Sequence, residues 1–280
     1  MIIRNPVAAG SFYPRNSSDL RSVVAGFCKE SGEEKKSGIK GIVSPHAGYV
    51  YCGSVQSKVF SSIDSNKTFV IIGPNHTGVG APASIMTEGI WKTPLGMCRI
   101  NKELAFDILE KSKFLENDFH AHAQEHSIEV QLPWLQYLFS SVSFVPICLG
   151  HLNSKAFSDI GNAIRDSLPE DSVVVASSDF THFGDAYGYK PVKGGPGSVL
   201  PYIKKIDMEA AKAVTELAPE RLVETVSRYR ATICGSSAIA TMLYSIKDKA
   251  KEGNILEYTT SYEKSRNLDA LVGYCGIILA

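Results

Sequence analysis

The chain has 280 residues, 44% of them hydrophobic, which is enough to bury a large core in one domain. Its 29 Lys and Arg residues balance its 29 Asp and Glu residues, so no net charge favours nucleic-acid binding. No apolar run reaches the roughly 18–20 residues that span a bilayer, and the apolar segment before Pro6 is too short for a signal peptide. We therefore expect a cytoplasmic protein without nucleic-acid or membrane partners.

Strand-length apolar runs alternate with segments of helical period, which is typical of a mostly parallel (mixed) sheet flanked by helices. The pattern predicts an α/β single-domain sandwich over residues 1–280. Buried strands are predicted at 41–44, 68–73, 143–148 and 172–177, and a final antiparallel pair at 255–262 and 270–279. Helices are predicted at 18–30, 53–63, 102–111, 128–139, 155–167, 202–217, 219–229 and 235–249. The Gly- and Pro-rich stretch 187–198 is predicted to be a loop, either a lid or an exposed connection.

Histidines follow two of the predicted strands where each apolar run ends. The motif SPHAGYVYCG places His46 after the first strand, and GPNHTG places Asn75 and His76 after the second. One histidine in such a position is more often a hydrogen-bonded turn residue. Two at equivalent positions favour a shared site, because ligands of open α/β sheets bind beyond the carboxyl ends of the strands.

A third strand end carries an acid and a histidine. The motif VVVASSDFTHFG supplies Asp179 and His182, whose spacing places them on one face if the chain turns helically there. A carboxylate beside an imidazole can orient it or act with it in proton transfer. The alternative is a helix-capping aspartate with a nearby surface histidine.

The segment QEHSIEVQLPWLQYLF predicts a buried helix with Ser127 as its N-cap, because apolar residues occupy two of its sides. Polar residues near its start then need partners or a cavity, and we consider three of them as pocket or capping residues: His126, Glu129 and Gln131. Capping is the favoured role for Gln131. The preceding His120 and His122 are expected on the surface.

Cys234 is the cysteine whose setting indicates reactivity. The six cysteines include no C-x-x-C pair, so the sequence predicts neither a zinc ribbon nor a disulfide framework. In ICGSSAIATML, however, Cys234 directly precedes a predicted helix, whose N-terminus favours a thiolate. The alternative is a small buried residue.

Seven motifs, taken together, resemble the MEMO family, also described as protein B of the AmmeMemoRadiSam system: NPVAAGSFYP, SPHAGYVYCG, GPNHTG, EHSIEVQLPWLQYL, VPICLG, SSDFTHFG and ICGSSAIATML. The resemblance covers the chain from about residue 4 onward. It implies a fold shared with LigB-type class III extradiol dioxygenases. It also implies a metal-site vestibule lined by His46, His76 and Cys234, with Asp179 and His182 close by.

The resemblance to the dioxygenases includes one departure. Those enzymes hold iron(II) with two histidines and a carboxylate, whereas the matching third position here is Cys234. A thiolate is softer, favours copper(I), zinc or a more covalent iron site, and can itself be oxidised. We therefore expect iron or copper, with zinc as a further option, and do not infer ring cleavage from the fold.

Three functions follow as hypotheses. The first is a redox-active metal protein, a dioxygenase-like oxidoreductase with His46, His76 and Cys234 as ligands and with His182, oriented by Asp179, moving protons. The second is a binding module for a small molecule or peptide, since MEMO proteins from animals are associated with phosphotyrosine-peptide recognition. The third is an accessory protein for AMMECR-type and radical-SAM partners.

Overall fold

The computed structural model describes residues 2–64 and 68–280. The strands are β1 (Ile3–Arg4), β2 (Gly41–Ser44), β3 (Thr68–Pro74), β4 (Ala83–Ile85), β5 (Ile90–Thr93), β6 (Gly96–Ile100), β7 (Glu116–Asn117), β8 (Ser143–Leu149), β9 (Ser172–Ser177), β10 (His182–Phe183), β11 (Gly253–Thr260) and β12 (Leu271–Leu279). The helices are α1 (Ser17–Ser31), α2 (Tyr49–Ser61), α3 (Lys102–Lys111), α4 (His120–Ala123), α5 (Leu132–Leu138), α6 (Ser154–Arg165), α7 (Pro196–Thr215), α8 (Pro219–Tyr229), α9 (Ser236–Ile246) and α10 (Tyr262–Ser265). Two 3-10 turns lie at Glu129–Gln131 and Asp185–Tyr187.

These strands form one mixed sheet, which confirms the predicted α/β class. Its main path runs β1-β5-β6-β8-β3-β9-β2-β12-β10, and β8, β3, β9 and β2 are mutually parallel. The central strands are rich in Val and Ile and almost entirely buried, as expected where both faces of a parallel sheet are covered. Because β9 lies between β3 and β2, the carboxyl ends of these three strands meet at one edge of the sheet.

Helices pack around this sheet in two groups. Helices α1, α2 and α5 contact one another, and α2 also packs on β11 and β12. A second group consists of α6, α8 and α9, with α9 packed on β9 and β3. The final strands, β11 and β12, form an antiparallel pair, as predicted, and β12 also pairs with β2. Within the described ranges, no helix combines the length and apolar character needed to cross a membrane.

Several element bounds differ from the prediction. Helix α2 begins at Tyr49, four residues earlier than expected, because Gly48 is its N-cap residue. Helix α7 begins at Pro196, inside the predicted loop. Proline is favoured at the first position of a helix because the N–H group that it lacks would have no partner within the helix. The predicted helix 128–139 is divided into a 3-10 turn and α5. The short strands β4 to β7 were not predicted.

The carboxyl group of Asp207 joins α7 to the sheet. It accepts hydrogen bonds from the backbone N–H of Thr181 (3.1 Å) and from the hydroxyl of Tyr258 (2.8 Å). The residue is fully buried, and burial raises the pKa of Asp207 from its ordinary value of 3.8 to about 6. The folded protein therefore binds this proton more tightly than the unfolded chain does.

This raised pKa predicts a pH-dependent contribution to stability. The contribution is complete below about pH 4 and is lost as the pH rises through about 6, because in this range the folded state keeps a proton that the unfolded state has already released. Between about pH 5 and pH 8 we expect the wild type to lose about 1–2 kcal/mol of unfolding free energy relative to Asp207→Asn. Denaturant titrations of both proteins across this range measure the difference, and parallel pH curves would contradict it.

Candidate metal centre

The three predicted ligands meet at the carboxyl edge of the sheet. His46 follows β2, His76 follows β3, and Cys234 precedes α9. One ligand atom from each of these residues lies within 4.8 Å of the others. Cys234 Sγ is 3.2 Å from His46 Nε2, and the two imidazole rings are 5.1 Å apart. The parallel strand order brings the two histidines together, and the segment before α9 adds the sulphur of a nitrogen–nitrogen–sulphur donor set.

Ser177 determines which nitrogen of His46 carries a proton. The Ser177 hydroxyl donates its single proton to the backbone carbonyl of Ser127 (2.7 Å). It therefore accepts from Gln131 Nε2 (2.9 Å) and from His46 Nδ1 (2.9 Å). Burial, followed by the charges of nearby imidazoles, lowers the pKa of His46 well below its ordinary value. His46 is thus neutral with a lone pair on Nε2, the form that binds metals.

Ser127 and Gln131 do not have the predicted capping roles. The Ser127 hydroxyl donates to the carbonyl of Pro74 (3.1 Å), and the Gln131 amide also bonds the carbonyl of Pro45 (2.9 Å) and the hydroxyl of Ser44 (2.9 Å). The capping prediction is wrong because these side chains lie between the ends of β2, β3 and β9. They hydrogen-bond the strand ends there instead of the helix.

Glu125, which sequence reasoning missed, holds His76. Its carboxylate accepts from the backbone N–H of His76 (2.7 Å) and lies 3.0 Å from His76 Nδ1. It also accepts from the N–H of Ser127 (2.9 Å) and lies 3.3 Å from Nδ1 of His126. Burial opposes ionisation, but these partners outweigh it and lower the pKa of Glu125 to about 2. Burial alone would lower the pKa of His76. The hydrogen bond and the charge of Glu125 outweigh burial, so the pKa of His76 is raised.

Gly235 allows the cysteine to approach the strand ends. A Cβ atom at position 235 would lie 2.4 Å from the carbonyl oxygen of Ser177 and 2.5 Å from Cβ of Ser178. Only glycine fits this contact, which sets Cys234 beside β9. Burial raises the pKa of the Cys234 thiol, and the charge of Asp179 adds to the effect. Burial therefore outweighs the predicted effect of the helix N-terminus on the pKa of this thiol.

Asp179 and His182 both line the cavity, but not on a helical turn. Asp179 accepts a hydrogen bond from the backbone N–H of His46 (2.8 Å). His182 lies in β10, and its Nδ1 is 3.0 Å from the carbonyl oxygens of both Phe180 and Thr232. Because carbonyls only accept, Nδ1 carries the proton and Nε2 is the acceptor. The prediction that Asp179 orients His182 is therefore wrong, since backbone carbonyls do so.

Glu129 does not reach the cavity. Its buried carboxylate pairs with Arg4 Nη1 (2.5 Å), accepts from the N–H groups of Val7 and Ala8, and is hydrogen-bonded by the hydroxyl of Tyr13. The prediction of Glu129 as a pocket residue is wrong because the N-terminal segment folds over it. These partners could not be inferred from the helical pattern.

The other candidate residues divide between the cavity and its surroundings. His126 lines the cavity and stacks on His76, with ring centroids 4.9 Å apart and planes at 22°. Asn75 lines the second chamber and also bonds the turn that follows it, through the carbonyl of Val79 and the N–H of Gly78. His120 is exposed as predicted, whereas His122 is fully buried against the edge of Trp91. The surface prediction for His122 is wrong because Arg4 and the N-terminal strand cover it.

The cavity has two chambers that share His76, His182 and Tyr187. The first encloses about 470 Å³, and its lining includes an aromatic set: Phe12, Tyr51, Tyr187 and Tyr274. The second encloses about 710 Å³, and its lining includes polar side chains on the α9 side: Thr232, Cys234, Ser236 and Ser237. Tyr187 belongs to the predicted loop 187–198, so one end of that loop contributes to the cavity wall. Among residues 2–64 and 68–280, no lysine or arginine lines either chamber.

The chain is similar to known proteins over its whole length. The family described as Memo-like protein matches residues 4–278. A MEMO1 family protein of Pyrococcus horikoshii is 38% identical over 288 residues, covering 99% of each chain, and one of Methanopyrus kandleri is 37% identical, covering 98% of each. The solved structure of an uncharacterized protein from Escherichia coli K12 shares the fold, with a TM-score of 0.53, 12% identity, and coverage of 86% of this chain and 99% of that one. The chain therefore belongs to the Memo-like family.

Proposed function

We propose that this protein is a metal-dependent oxidoreductase whose iron or copper ion is held by His46, His76 and Cys234. The observation that carries the proposal is the convergence of three ligand atoms, from three separate chain segments, to within 4.8 Å of one another. The donor atoms of these three residues suit an iron or copper ion. His46 presents an unprotonated Nε2 because Ser177 accepts from its Nδ1, and the neutral form of His76 does so because Glu125 accepts from its Nδ1. Two imidazoles and a thiolate suit iron, copper or zinc.

A bound iron or copper ion would supply electron transfer and Lewis acidity at this position. The protein's own residues supply the remaining functions. His182 presents an acceptor nitrogen at Nε2 and can take a proton from a substrate held in the shared part of the cavity. The aromatic side chains of the first chamber can hold an organic substrate and exclude water. Asp179 anchors the backbone of His46 and so keeps that ligand in place.

The chamber walls favour this proposal over phosphopeptide recognition. Phosphate groups are typically bound by arginine clusters, often in bidentate pairs. Neither chamber has lysine or arginine in its lining within the described part of the chain, and the polar groups present are imidazoles, hydroxyls, amides, the carboxyl group of Asp179 and the thiol of Cys234. Association with AMMECR-type and radical-SAM proteins stays a prediction from the family resemblance, and co-purification from the native host tests it.

The His182→Asn variant tests the catalytic part of the proposal. Asparagine keeps a side-chain donor for the carbonyls of Phe180 and Thr232 but removes the acceptor nitrogen. We expect unchanged metal content and turnover lowered by about 10²- to 10⁴-fold, the usual contribution of a positioned acid or base. The assay is dioxygen uptake by metal-loaded protein across catechols, thiols and peptides. Uptake by the variant at the wild-type rate would contradict the role of His182, and no uptake by the wild type would contradict the oxidoreductase.

A further inference from the structure

A single buried carboxylate connects two of the cavity imidazoles. Glu125 has no exposed surface, and it is hydrogen-bonded by the backbone N–H groups of His76 and Ser127 and by Nδ1 of His76, while Nδ1 of His126 lies close to it. Both Nδ1 atoms approach the same oxygen, Oε1, at 3.0 and 3.3 Å. The two rings also stack at 4.9 Å with planes at 22°. The carboxylate thus lies behind both rings as seen from the cavity that they line.

An ionised carboxylate can only accept hydrogen bonds, so the neutral His76 ring is expected to place its proton on Nδ1, which is hydrogen-bonded to Glu125. The lone pair of His76 is then on Nε2. Carboxylates that accept from a metal-ligating histidine in this way fix the tautomer and ring orientation of the ligand and raise its basicity. We propose that Glu125 is the positioning residue of the site, fixing His76 as a ligand and holding His126 parallel to it. The inference rests on the proposed metal site and extends it.

The same atoms admit a second interpretation. Ligand atoms of His76, Glu125 and His126 also lie within 4.8 Å of one another, which is close enough for a cation. A cation bound at the two Nδ1 atoms would displace both ring protons. The two backbone N–H groups take one acceptor position on each carboxylate oxygen, and Oε1 has a further position that bonds His76 Nδ1. Hydrogen bonding alone therefore accounts for the geometry, and the metal stoichiometry separates the two interpretations.

The Glu125→Gln variant is the direct test. A glutamine has one oxygen and one NH2 group, whereas donors face both carboxylate oxygens of Glu125. In one orientation the NH2 group faces the backbone N–H of His76. In the other it faces Nδ1 of His76, which must then act as an acceptor and shift its proton to Nε2. We expect the affinity for iron(II), copper(I) or zinc, measured by competition titration, to fall by about 10- to 100-fold.

A second readout does not depend on metal. Nitrogen-15 NMR of histidine-labelled, metal-free protein should show His76 protonated at Nδ1 in the wild type. That state should be lost or mixed in Glu125→Gln and kept in Glu125→Asp, which preserves an acceptor-only group. A purely structural role of Glu125 would leave the tautomer unchanged. If the wild type binds no metal, the proposed function fails, while the tautomer experiment still decides the role of Glu125.

Asp207→Asn is the matched control, because Asp207 is also a fully buried carboxyl and its hydrogen bonds to Thr181 and Tyr258 involve no cavity imidazole. We expect its metal affinity and the His76 tautomer to match the wild type. Circular dichroism confirms that each variant is folded. Three results would overturn the proposal: a folded Glu125→Gln variant with wild-type affinity, a wild-type His76 protonated at Nε2, or two equivalents of metal of which Glu125→Gln loses one.

Discussion

Replacing Cys234 with serine is expected to lower the affinity for iron or copper by more than about 100-fold, since an outer partner such as Glu125 already contributes roughly 10- to 100-fold. The serine keeps the size of the side chain, so the close packing of Gly235 on β9 is preserved. It replaces a soft donor, 3.2 Å from His46 Nε2, with a hard hydroxyl that stays protonated at neutral pH. His46→Ala is expected to cause a similar loss by removing the imidazole.

Elemental analysis of protein purified without added metal or chelator, followed by competition titration, measures this loss. Cys28→Ser is the matched control, because Cys28 is half-buried in α1 and belongs to neither cluster of candidate ligands among the described residues. The control should retain the wild-type metal content. If Cys234→Ser retains stoichiometric metal with wild-type affinity, the cysteine is not a ligand and the assignment of the site is wrong.

Replacing Arg4 with alanine is expected to lower the free energy of unfolding by about 3–5 kcal/mol, the usual effect of removing one partner of a buried ion pair. Arg4 and Glu129 are both almost fully buried and paired at 2.5 Å. The guanidinium also donates to the carbonyls of His122 (2.9 Å) and Glu125 (2.6 Å) and lies over the ring of Trp91. The variant would leave the Glu129 carboxylate buried without its cation.

Denaturant titration followed by circular dichroism measures the Arg4→Ala effect. Arg21→Ala serves as the control because Arg21 is exposed on α1, and we expect it to change stability by less than about 0.5 kcal/mol. The double variant Arg4→Met with Glu129→Gln should be more stable than the Arg4→Ala variant, because no unpaired charge remains buried. An Arg4→Ala variant within about 1 kcal/mol of the wild type would contradict the structural role assigned to this pair.

The sequence predicts those site residues whose positions depend on the order of the strands. Long runs of Val and Ile identify β3, β8 and β9, and the parallel arrangement brings the residues after β2 and β3 together. This is why the sequence alone indicates His46 and His76 as a pair. Cys234 was indicated by its position before a helix, although its approach to the histidines depends on the contact of Gly235 with β9.

The groups that orient these side chains could not be predicted, because their partners are distant in sequence. Glu125 lies 49 residues from His76, and Arg4 lies 125 residues from Glu129. The two acidic residues of EHSIEV look alike in sequence, yet one holds an imidazole and the other holds the N-terminal segment. His182 has a carbonyl partner at Thr232, 50 residues away, so the adjacent Asp179 was the wrong candidate.

X-ray absorption spectroscopy at the metal edge of stoichiometrically loaded protein tests the central claim most directly. The proposed site predicts one metal per chain, with one sulphur and at least two imidazole nitrogens bound to the ion. In Cys234→Ser, reloaded at high metal concentration, the sulphur contribution should be absent while imidazole nitrogens remain. A wild-type spectrum with only nitrogen and oxygen neighbours would contradict the proposed site and would show that other residues bind the metal.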